Sequence, residues 1–514
     1  MSQTPRSTLD KANTSVPSCE ANTIARYGKI YALANVVNRS AGFLLIPLYT
    51  HLLTLAEYGL LAMVLAVTDI LCLLFGLGFT SALSRFYFDA AHDREKTQQV
   101  VSTVFLGVLC MSLLICLLAL PLSYAIALTV FNNLSYLPLL ATAIFGLIFT
   151  ILFEVELGYV TVQKKAWLYF FMSLGKAVLF IALNFVFVYE LRLGVQGIIY
   201  ATFISMALLS LVGIIVIFKH VGFKFSYPLF IDLLKFGLPL VPSAMANTGM
   251  TLTERYFLNL LAGPAAVGAY ALAERLTSLL RMFIAAPFSQ IFFVRRFESL
   301  VAGDNQQAFH RIFLIFVALM SVAALGLSLL GAEIISIIAP SSYQGLIPLI
   351  PLMGLCFVLS SINQNVELGL LYEKKTGIIA YIGIACFMLC IPINYALISL
   401  FNAMGAVYAL LLVNIVRLLM TTWASKKIGA DLIKLDWASA ILIMLLATSI
   451  GIFFTQAQFK SFDTATLTIK ILSGFSFIIL VFFSPIFNCK VTLSAHSLDR
   501  SLLKKKAHID LPTQ

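Results

Sequence analysis

Long apolar stretches, separated by short polar breaks, follow one another along almost the whole chain. Each has about 20 residues, enough for an α-helix to cross the hydrocarbon core of a bilayer. They do not alternate between apolar and polar residues, as the strands of a membrane barrel would. We therefore predict an all-α polytopic membrane protein. Its fourteen transmembrane helices are expected at residues 30–53, 59–84, 100–122, 135–162, 167–190, 195–218, 237–261, 266–293, 312–334, 344–372, 377–400, 404–424, 438–457 and 466–487.

The chain contains an internal repeat with an offset of about 209 residues. Three spaced residues recur at this offset, Gly28, Asn38 and Gly59 as Gly237, Asn247 and Gly268. Further along, the motif VELG at 155–158 recurs at 366–369, and Gly197 with Tyr200 recurs as Gly405 with Tyr408. Each copy contains six predicted helices, an even number, so the two copies have the same orientation and form a parallel repeat.

The repeat divides the chain into two six-helix lobes, and two further helices have no counterpart. We predict a disordered cytoplasmic tail (1–23), an N-lobe with helices 1–6 (24–218), a cytoplasmic linker (219–235), a C-lobe with helices 7–12 (236–424), helices 13 and 14 (425–487) and a second cytoplasmic tail (488–514). The first tail lacks the apolar segment of a signal peptide, so we expect no cleavage.

The composition argues against a soluble catalytic domain. Charged residues make up 11% of the chain, whereas soluble domains carry about 25%. The net charge of +11 does not indicate a nucleic-acid partner, because the basic residues are scattered over short breaks between apolar stretches. They concentrate in alternate breaks, which predicts that both termini are cytoplasmic. The pattern indicates no catalytic residue, metal site or cofactor.

Charged residues inside the predicted helices are the main candidates for function. A cation at the centre of a membrane helix costs about 2.5 to 3.5 kcal/mol on insertion scales, so each should face a cavity or a partner. The basic candidates are Arg39, Lys176, Arg255, Arg275, Arg281 and Arg417. The acidic candidates are Asp69, Glu154, Glu156, Glu254, Glu274 and Glu367.

Two local patterns place some of these residues. Asn35, Asn38, Arg39 and Gly42 lie on one face of helix 1, which indicates either a cavity wall or a buried packing network. Helices 7 and 8 turn near 263–264, and symmetry about this turn sets Glu254 level with Arg275, and Arg255 level with Glu274. The pairs could be structural salt bridges or could exchange partners during transport.

Three segments carry a resemblance to a known family. LIPLYTHLLTLAEYG at 45–59, GLGFTSALSRFYFD at 76–89 and GPAAVGAYALAERL at 263–276 resemble bacterial polysaccharide-unit (O-antigen type) flippases. These belong to the multidrug/oligosaccharidyl-lipid/polysaccharide exporter superfamily. The resemblance implies two lobes around a central cavity that opens alternately to either side of the bacterial inner membrane. The implied cargo is an undecaprenyl-pyrophosphate-linked sugar unit, carried from the cytoplasmic to the periplasmic leaflet for lipopolysaccharide or another surface polysaccharide.

This interpretation assigns roles to the charged candidates. Arg39 resembles the cavity cations that such flippases place on helix 1, although Asp69 could instead neutralise it. Arg281 is our second candidate for a pyrophosphate contact, because an arginine can bind phosphate oxygens bidentately. The other expected substrate-binding residues are Asn35, Asn38, Lys176, Arg255, Arg275 and Arg417.

The acidic residues have two alternative roles, coupling to H⁺ or Na⁺ or simple neutralisation of the cations. The candidates for ion coupling or gating are Asp69, Glu254, Glu274, Glu156 and Glu367. Glu156 and Glu367 lie about seven residues before basic breaks, so we expect them near the cytoplasmic mouth as gate or packing residues. The expected partners are the lipid-linked oligosaccharide and membrane lipids, with a polysaccharide polymerase and a chain-length regulator as candidate protein partners.

Two other functions compete with this interpretation. A multidrug or cation antiporter of the same superfamily is the closer rival, but an acidic or apolar cavity is expected of it. An integral-membrane polysaccharide polymerase is less favoured, because it would need a long outer loop to carry catalytic residues.

Overall fold

The computed structural model describes residues 18–289, 306–373, 375–428, 437–456 and 464–483. Regular structure in these ranges is helical, without a strand, which confirms the predicted all-α class. The helices are α1 (Ser18–Leu44), α2 (Ile46–Leu52), α3 (Leu55–Gly76), α4 (Phe79–Asp89), α5 (Arg94–Thr129), α6 (Leu137–Val162), α7 (Ala166–Asn184), α8 (Gly194–Val221), α9 (Tyr227–Gly237), α10 (Val241–Ala262), α11 (Pro264–Leu280), α12 (Gln306–Leu329), α13 (Gly331–Ile338), α14 (Ile350–Tyr372), α15 (Thr376–Ile428), α16 (Trp437–Gln456) and α17 (Thr464–Phe483).

Ten helical stretches in the described ranges are long and apolar enough to cross a membrane. One of them, α15, contains two predicted helices joined at Asn402, where φ is 51°. With ψ at −129°, this is the conformation of the first central residue of a II′ turn, where asparagine is among the favoured residues. Three predicted helices are not among these ten stretches but also coincide with helices of the structure. Predicted helix 1 overlaps α1 and α2, predicted helix 8 overlaps α11, and predicted helix 14 overlaps α17. Each predicted segment therefore coincides with helical structure, and the protein is a multi-pass membrane protein.

Two segments predicted to lie outside the membrane helices contain helical structure. The first helix begins at Ser18, inside the stretch predicted to be a disordered tail. Residues 227–235 of the predicted linker belong to α9. Leu233 of this helix is buried, while Asp232 and Lys235 are exposed and form an ion pair of 3.6 Å. Residues 1–17 and the predicted tail 488–514 lie outside the described residues. The lobe boundaries stay a prediction.

Polar caps determine where two of the membrane helices begin. At the start of α3, the Thr54 hydroxyl accepts the Glu57 N–H (3.2 Å) while the Glu57 carboxylate accepts the Thr54 N–H (2.8 Å), a reciprocal capping box. At the start of α5, the Asp93 carboxylate accepts the N–H groups of Lys96 and Glu95. These bonds, with the Lys96 N–H bond foremost, lower the pKa of Asp93. Both caps satisfy N–H groups that a helix start leaves without intrahelical partners.

The membrane helices pack in two groups. In the first, α5 and α8 lie against α6, and α1 lies against α7. In the second, α10 and α14 lie against α15, and α12 packs on α14 and α16. The two groups meet where α3 packs on α10 and α11. One hydrophobic core contains buried residues of both groups, including Tyr58 and Tyr270. The groups therefore share a packed interface at the N-terminal end of α3.

Two repeat-related glycines form the centre of this interface. A Cβ at Gly59 would collide with the carbonyl oxygen of Pro264, and a Cβ at Gly268 would collide with the carbonyl oxygen of Leu55. Leu55 and Pro264 are related by the same offset as the glycines, so the contact is symmetric about the repeat axis. Nearby, the Tyr343 hydroxyl donates to the Leu53 carbonyl (3.1 Å). The two groups are thus joined backbone to backbone at the end predicted to be outer.

The glycine contact predicts a stability difference between matched Gly→Ala variants. Gly59→Ala or Gly268→Ala should destabilise the protein by about 1 to 3 kcal/mol, because the colliding atoms are backbone and cannot rotate away. Gly377→Ala is the control, since Gly377 is exposed with nothing within 4 Å of its added Cβ. Thermal unfolding of the purified proteins measures the difference. Equal melting temperatures for all three variants would contradict the backbone contact.

Candidate functional site

The first cavity, of about 350 Å³, lies between α10, α11, α14 and α15. Its wall is polar although the helices cross a membrane. The polar lining residues are Asn247, Thr251, Glu254, Glu274, Arg281, Ser360, Asn363, Gln364, Glu367, Asn414 and Arg417. We name it the amide cavity, because asparagine and glutamine side chains come from three of the four helices.

A second cavity, of about 220 Å³, lies between α3, α10 and α11. Its charged lining residues are Arg255, Arg275, Arg281 and Glu274. We name it the arginine cavity. Because Arg281 and Glu274 line both this cavity and the amide cavity, the two spaces are adjacent.

A third cavity, of about 420 Å³, borders the first helix group. It is lined by Asp69, Cys72 and Glu154, and by Ala244 and Thr248 of α10. Residues 247, 251 and 254 of α10 line the amide cavity instead. Helix α10 therefore separates the third cavity from the amide cavity.

One of the two predicted hairpin pairs is confirmed. An Nη atom of Arg255 lies 2.9 Å from Oε2 of Glu274, and its other Nη donates to the Ala62 carbonyl on α3 (2.8 Å). The side chains are 14% and 24% exposed, so the pair is mostly shielded from solvent. Arg255 thereby connects α10 to both α11 and α3.

The other predicted pair, Glu254 with Arg275, is wrong. The buried carboxylate of Glu254 accepts a hydrogen bond from the Tyr270 hydroxyl (2.8 Å). The Arg275 guanidinium lies 5.7 Å from the centre of the Phe43 ring and fills the space that Gly42 leaves on α1. Successive residues of a helix point about 100° apart, so equal depth cannot bring both neighbouring pairs face to face.

Arg417 and Glu367 form a second ion pair, across α15 and α14. Their closest atoms are 3.1 Å apart. Arg417 also donates to Asn247 of α10 (3.0 Å), and Asn363 donates to the same Glu367 oxygen (2.7 Å). Glu367 thus lies in the wall of the amide cavity with its charge matched. A coupling or gating role for Glu367, as predicted above, would require its ion pair with Arg417 to change.

Arg281 is exposed at a π-helical turn that follows α11. Its guanidinium lies 5.2 Å from the centre of the Phe357 ring. A π-turn shifts the side-chain register of a helix and is frequent at functional sites. Arg281 lies at the boundary between the amide and arginine cavities.

The candidates of the first group lie around the third cavity and helix α1. Lys176 lies 5.6 Å from the Phe153 ring centre. Asn35 accepts a hydrogen bond from the Tyr169 hydroxyl (3.1 Å), so this part of the helix 1 stripe is a packing contact between α1 and α7. Asn38 is half-buried. The side chain of Arg39 lies outside what the structure describes, and its pairing with Asp69 stays a prediction.

The two glutamates of the repeated motif have different surroundings. Glu367 is ion-paired, whereas Glu156 is fully buried, and neither of its carboxyl oxygens has a hydrogen-bond partner among the described residues. The repeat suggested equal roles for them. The repeat in the sequence could not reveal that one glutamate is paired and the other is not, because the pairing depends on residues of other helices.

Sequence reasoning missed a buried ion pair between Glu333 and Lys470. Their closest atoms are 2.6 Å apart, and the side chains are 7% and 3% exposed. Both residues fall within predicted helices, Glu333 in 312–334 and Lys470 in 466–487, but neither is among the candidates. The pair connects α17 to α13. In the sequence, the only indication of this pair is that each residue lies near the edge of an apolar stretch.

Comparisons with known proteins agree with this architecture. The model of a family described as polysaccharide biosynthesis protein matches residues 25–293. No curated protein matches the chain. The solved structure of the lipid II flippase MurJ in an inward closed conformation is similar, with 16% identity, a TM-score of 0.67, and coverage of 88% of this chain and 98% of that chain.

Two further solved structures are similar in fold. One is an inward-facing multidrug resistance MATE family transporter of the MOP superfamily, with 18% identity, a TM-score of 0.62 and coverage of 78% of this chain and 95% of that chain. The other is a MOP superfamily transporter from Pyrococcus furiosus, described as having a binding pocket of reverse polarity, with 16% identity, a TM-score of 0.57 and the same coverages. The fold is therefore that of MOP superfamily transporters. Because the family model matches more than half of its residues, this chain belongs to the polysaccharide biosynthesis protein family.

Proposed function

We propose that this protein is a flippase for an undecaprenyl-pyrophosphate-linked oligosaccharide, which it moves from the cytoplasmic to the periplasmic leaflet of the bacterial inner membrane. Transport would proceed by ion-coupled alternating access and would supply surface polysaccharide such as O-antigen. The observation that carries the proposal is the adjacency of the arginine cavity and the amide cavity. Family membership and the transporter fold support it.

The arginine cavity suits the diphosphate of such a lipid. Its described wall holds Arg255, Arg275 and Arg281 against the single acid Glu274, so it is net positive. Guanidinium groups bind phosphate oxygens through paired, charge-assisted hydrogen bonds. A bound diphosphate would compete with Glu274 for Arg255. Arg255 would then have an anionic partner both with and without the substrate, so its charge would never be buried unpaired.

The amide cavity suits the sugar. Side-chain amides and hydroxyls both donate and accept hydrogen bonds, as sugar hydroxyls also do. Asn363, Gln364 and Asn414 line it from two helices. Its three acids, Glu254, Glu274 and Glu367, are each hydrogen-bonded within the protein. Because Arg281 lines both cavities, a headgroup at Arg281 would place the attached sugar in the amide cavity.

The joined outer end supports an inward-facing state. Opening to the periplasm would require Gly59 and Gly268 to separate, because their backbones are in contact. On the first group, Arg39, Asn35, Asn38 and Lys176 remain proposed contacts of the substrate. Asp69, Glu254, Glu274 and Glu367 remain proposed sites of H⁺ or Na⁺ coupling or of gating. A polysaccharide polymerase and a chain-length regulator are the proposed protein partners.

The rival function, antiport of organic cations, is disfavoured by the arginine cavity. Three guanidinium groups in its described wall would repel a cationic drug. A transport assay in vesicles with ethidium as the probe would test this alternative directly.

Arg281 provides the central test of the proposed function. We expect Arg281→Ala to abolish surface polysaccharide in a deletion host complemented at normal protein level. Arg281→Lys should restore it only in part, because the paired contact to phosphate is lost. Arg94→Ala, at an exposed first-turn position of α5, is the matched control. Normal surface polysaccharide with Arg281→Ala would refute a headgroup contact at this residue, and normal polysaccharide in the deletion host itself would refute the flippase function.

The ion pair of Arg255 and Glu274 should respond asymmetrically if Arg255 binds the headgroup. Both Arg255→Gln and Glu274→Gln should lower stability, by up to about 3 to 5 kcal/mol for a buried pair. Only Arg255→Gln should weaken binding of undecaprenyl pyrophosphate, since Glu274→Gln removes a competitor of the diphosphate. Thermal shifts of purified variants, with and without this lipid, measure both effects. An equal loss of binding in both variants would identify the pair as purely structural.

A further inference from the structure

Glu156 on α6 is a buried acid that lines none of the three cavities described above. Its side chain is 0% exposed, and no described residue forms a hydrogen bond with either carboxyl oxygen. The carboxyl group lies against Gly213 of α8, where a Cβ would collide with it. The neighbouring helix thus leaves room for a carboxyl group and offers it no counter-charge.

The charged groups on the helices around α6 are engaged elsewhere. Asp69 of α3 lines the third cavity together with Glu154, which lies on another face of α6, and Lys176 of α7 lies over the Phe153 ring. Arg85 and Asp89 of α4 are exposed and 4.0 Å from each other. The charged first turn of α5, at 94–96, and the last turn of α8, at 219–220, are exposed. The phenol rings of Tyr87 and Tyr159 pack edge to face on each other. None of these groups forms a hydrogen bond with Glu156.

The internal repeat shows that this isolation is specific to the first copy. In the second copy, Glu367 is held by Arg417 and Asn363. The offset that relates Gly197 to Gly405 places Leu209 at the position of Arg417, and the offset that relates the two glutamates places Leu152 at the position of Asn363. The first copy therefore has the acid but leucines in place of its two partners.

We propose that Glu156 is a proton-binding site that couples transport to a proton gradient, an inference that rests on the proposed flippase function. With α6 and α8 packed as in the structure, a carboxylate would have neither a donor nor a counter-charge, so the group holds its proton. When the helices part and water enters, the O–H bond breaks, the proton passes to water and the carboxylate remains. Glu156 lies about seven residues, roughly 10 Å, before the break at 163–165, so release occurs toward the cytoplasm.

Infrared spectroscopy of the purified full-length protein in lipid tests the protonation state without reference to transport. We expect a protonated-carboxyl C=O band that disappears in Glu156→Gln and remains in Asp232→Asn, a change of an exposed acid on α9. Glutamine has nearly the same size and mimics the protonated acid, so folding should be retained, which a melting curve checks. A spectrum in which Glu156→Gln removes no carboxyl band would overturn the proposal.

Surface polysaccharide in cells tests the coupling. One coupled proton lets each unit of pH gradient support about a tenfold accumulation. Export by the wild type should therefore fall when a protonophore is added, whereas Glu156→Gln should export little and respond to the protonophore no further. Glu156→Asp, which keeps the ionisable group, should recover part of the protonophore-sensitive export.

The two experiments separate this inference from the proposed function. If Glu156→Gln exports as much as the wild type, the residue is a structural acid and the proposal fails, while the flippase function stands. If deletion of the gene leaves surface polysaccharide unchanged, the flippase function fails. The infrared band then still decides whether Glu156 binds a proton.

Discussion

A charged side chain inside a bilayer must be matched by an opposite charge, by hydrogen bonds or by water, and this requirement organises the interior of the protein. Arg255 is matched by Glu274 and by a backbone carbonyl of α3. Arg417 is matched by Glu367 and by Asn247 of α10. Each match connects two or three helices, so the charges that could bind a substrate also determine how the second helix group is held together.

This double use explains why α10 is central. It contributes Arg255 to one ion pair and Asn247 to the hydrogen bonds around the other, while its remaining faces line the third cavity and the amide cavity. A headgroup that displaced Glu274 from Arg255 would alter the contact of α10 with both α11 and α3. Headgroup binding and the packing between the two helix groups are therefore not independent. A ligand shifts a conformational equilibrium only by its differential affinity for the states, and Arg255 is a place where such a difference can arise.

Much of the architecture could be predicted from the sequence, because helix length and hydropathy in a bilayer are local properties. The fourteen helical segments and the depth of the Arg255–Glu274 pair follow from counting residues along helices. The rotation of Arg275 toward Phe43 could not be predicted, because it depends on the space that Gly42 leaves on another helix. The pairing of Lys470 with Glu333 was missed for the same reason, since α17 and α13 are distant in sequence.

The two copies of the repeat have remained alike where the helix groups touch and have diverged where they are polar. Gly59 and Gly268 keep a symmetric contact, because any side chain on either would strike the other backbone. Inside, one copy holds its glutamate with an arginine and an asparagine, and the other leaves its glutamate without a hydrogen-bond partner among the described residues. A symmetric contact allows the groups to move as two equivalent bodies, whereas the asymmetric interiors would let each body bind a different ligand. If the second copy binds the anionic headgroup and the first binds the proton, and both shift the same equilibrium between inward-open and outward-open states, each ligand must change the affinity for the other by the same factor.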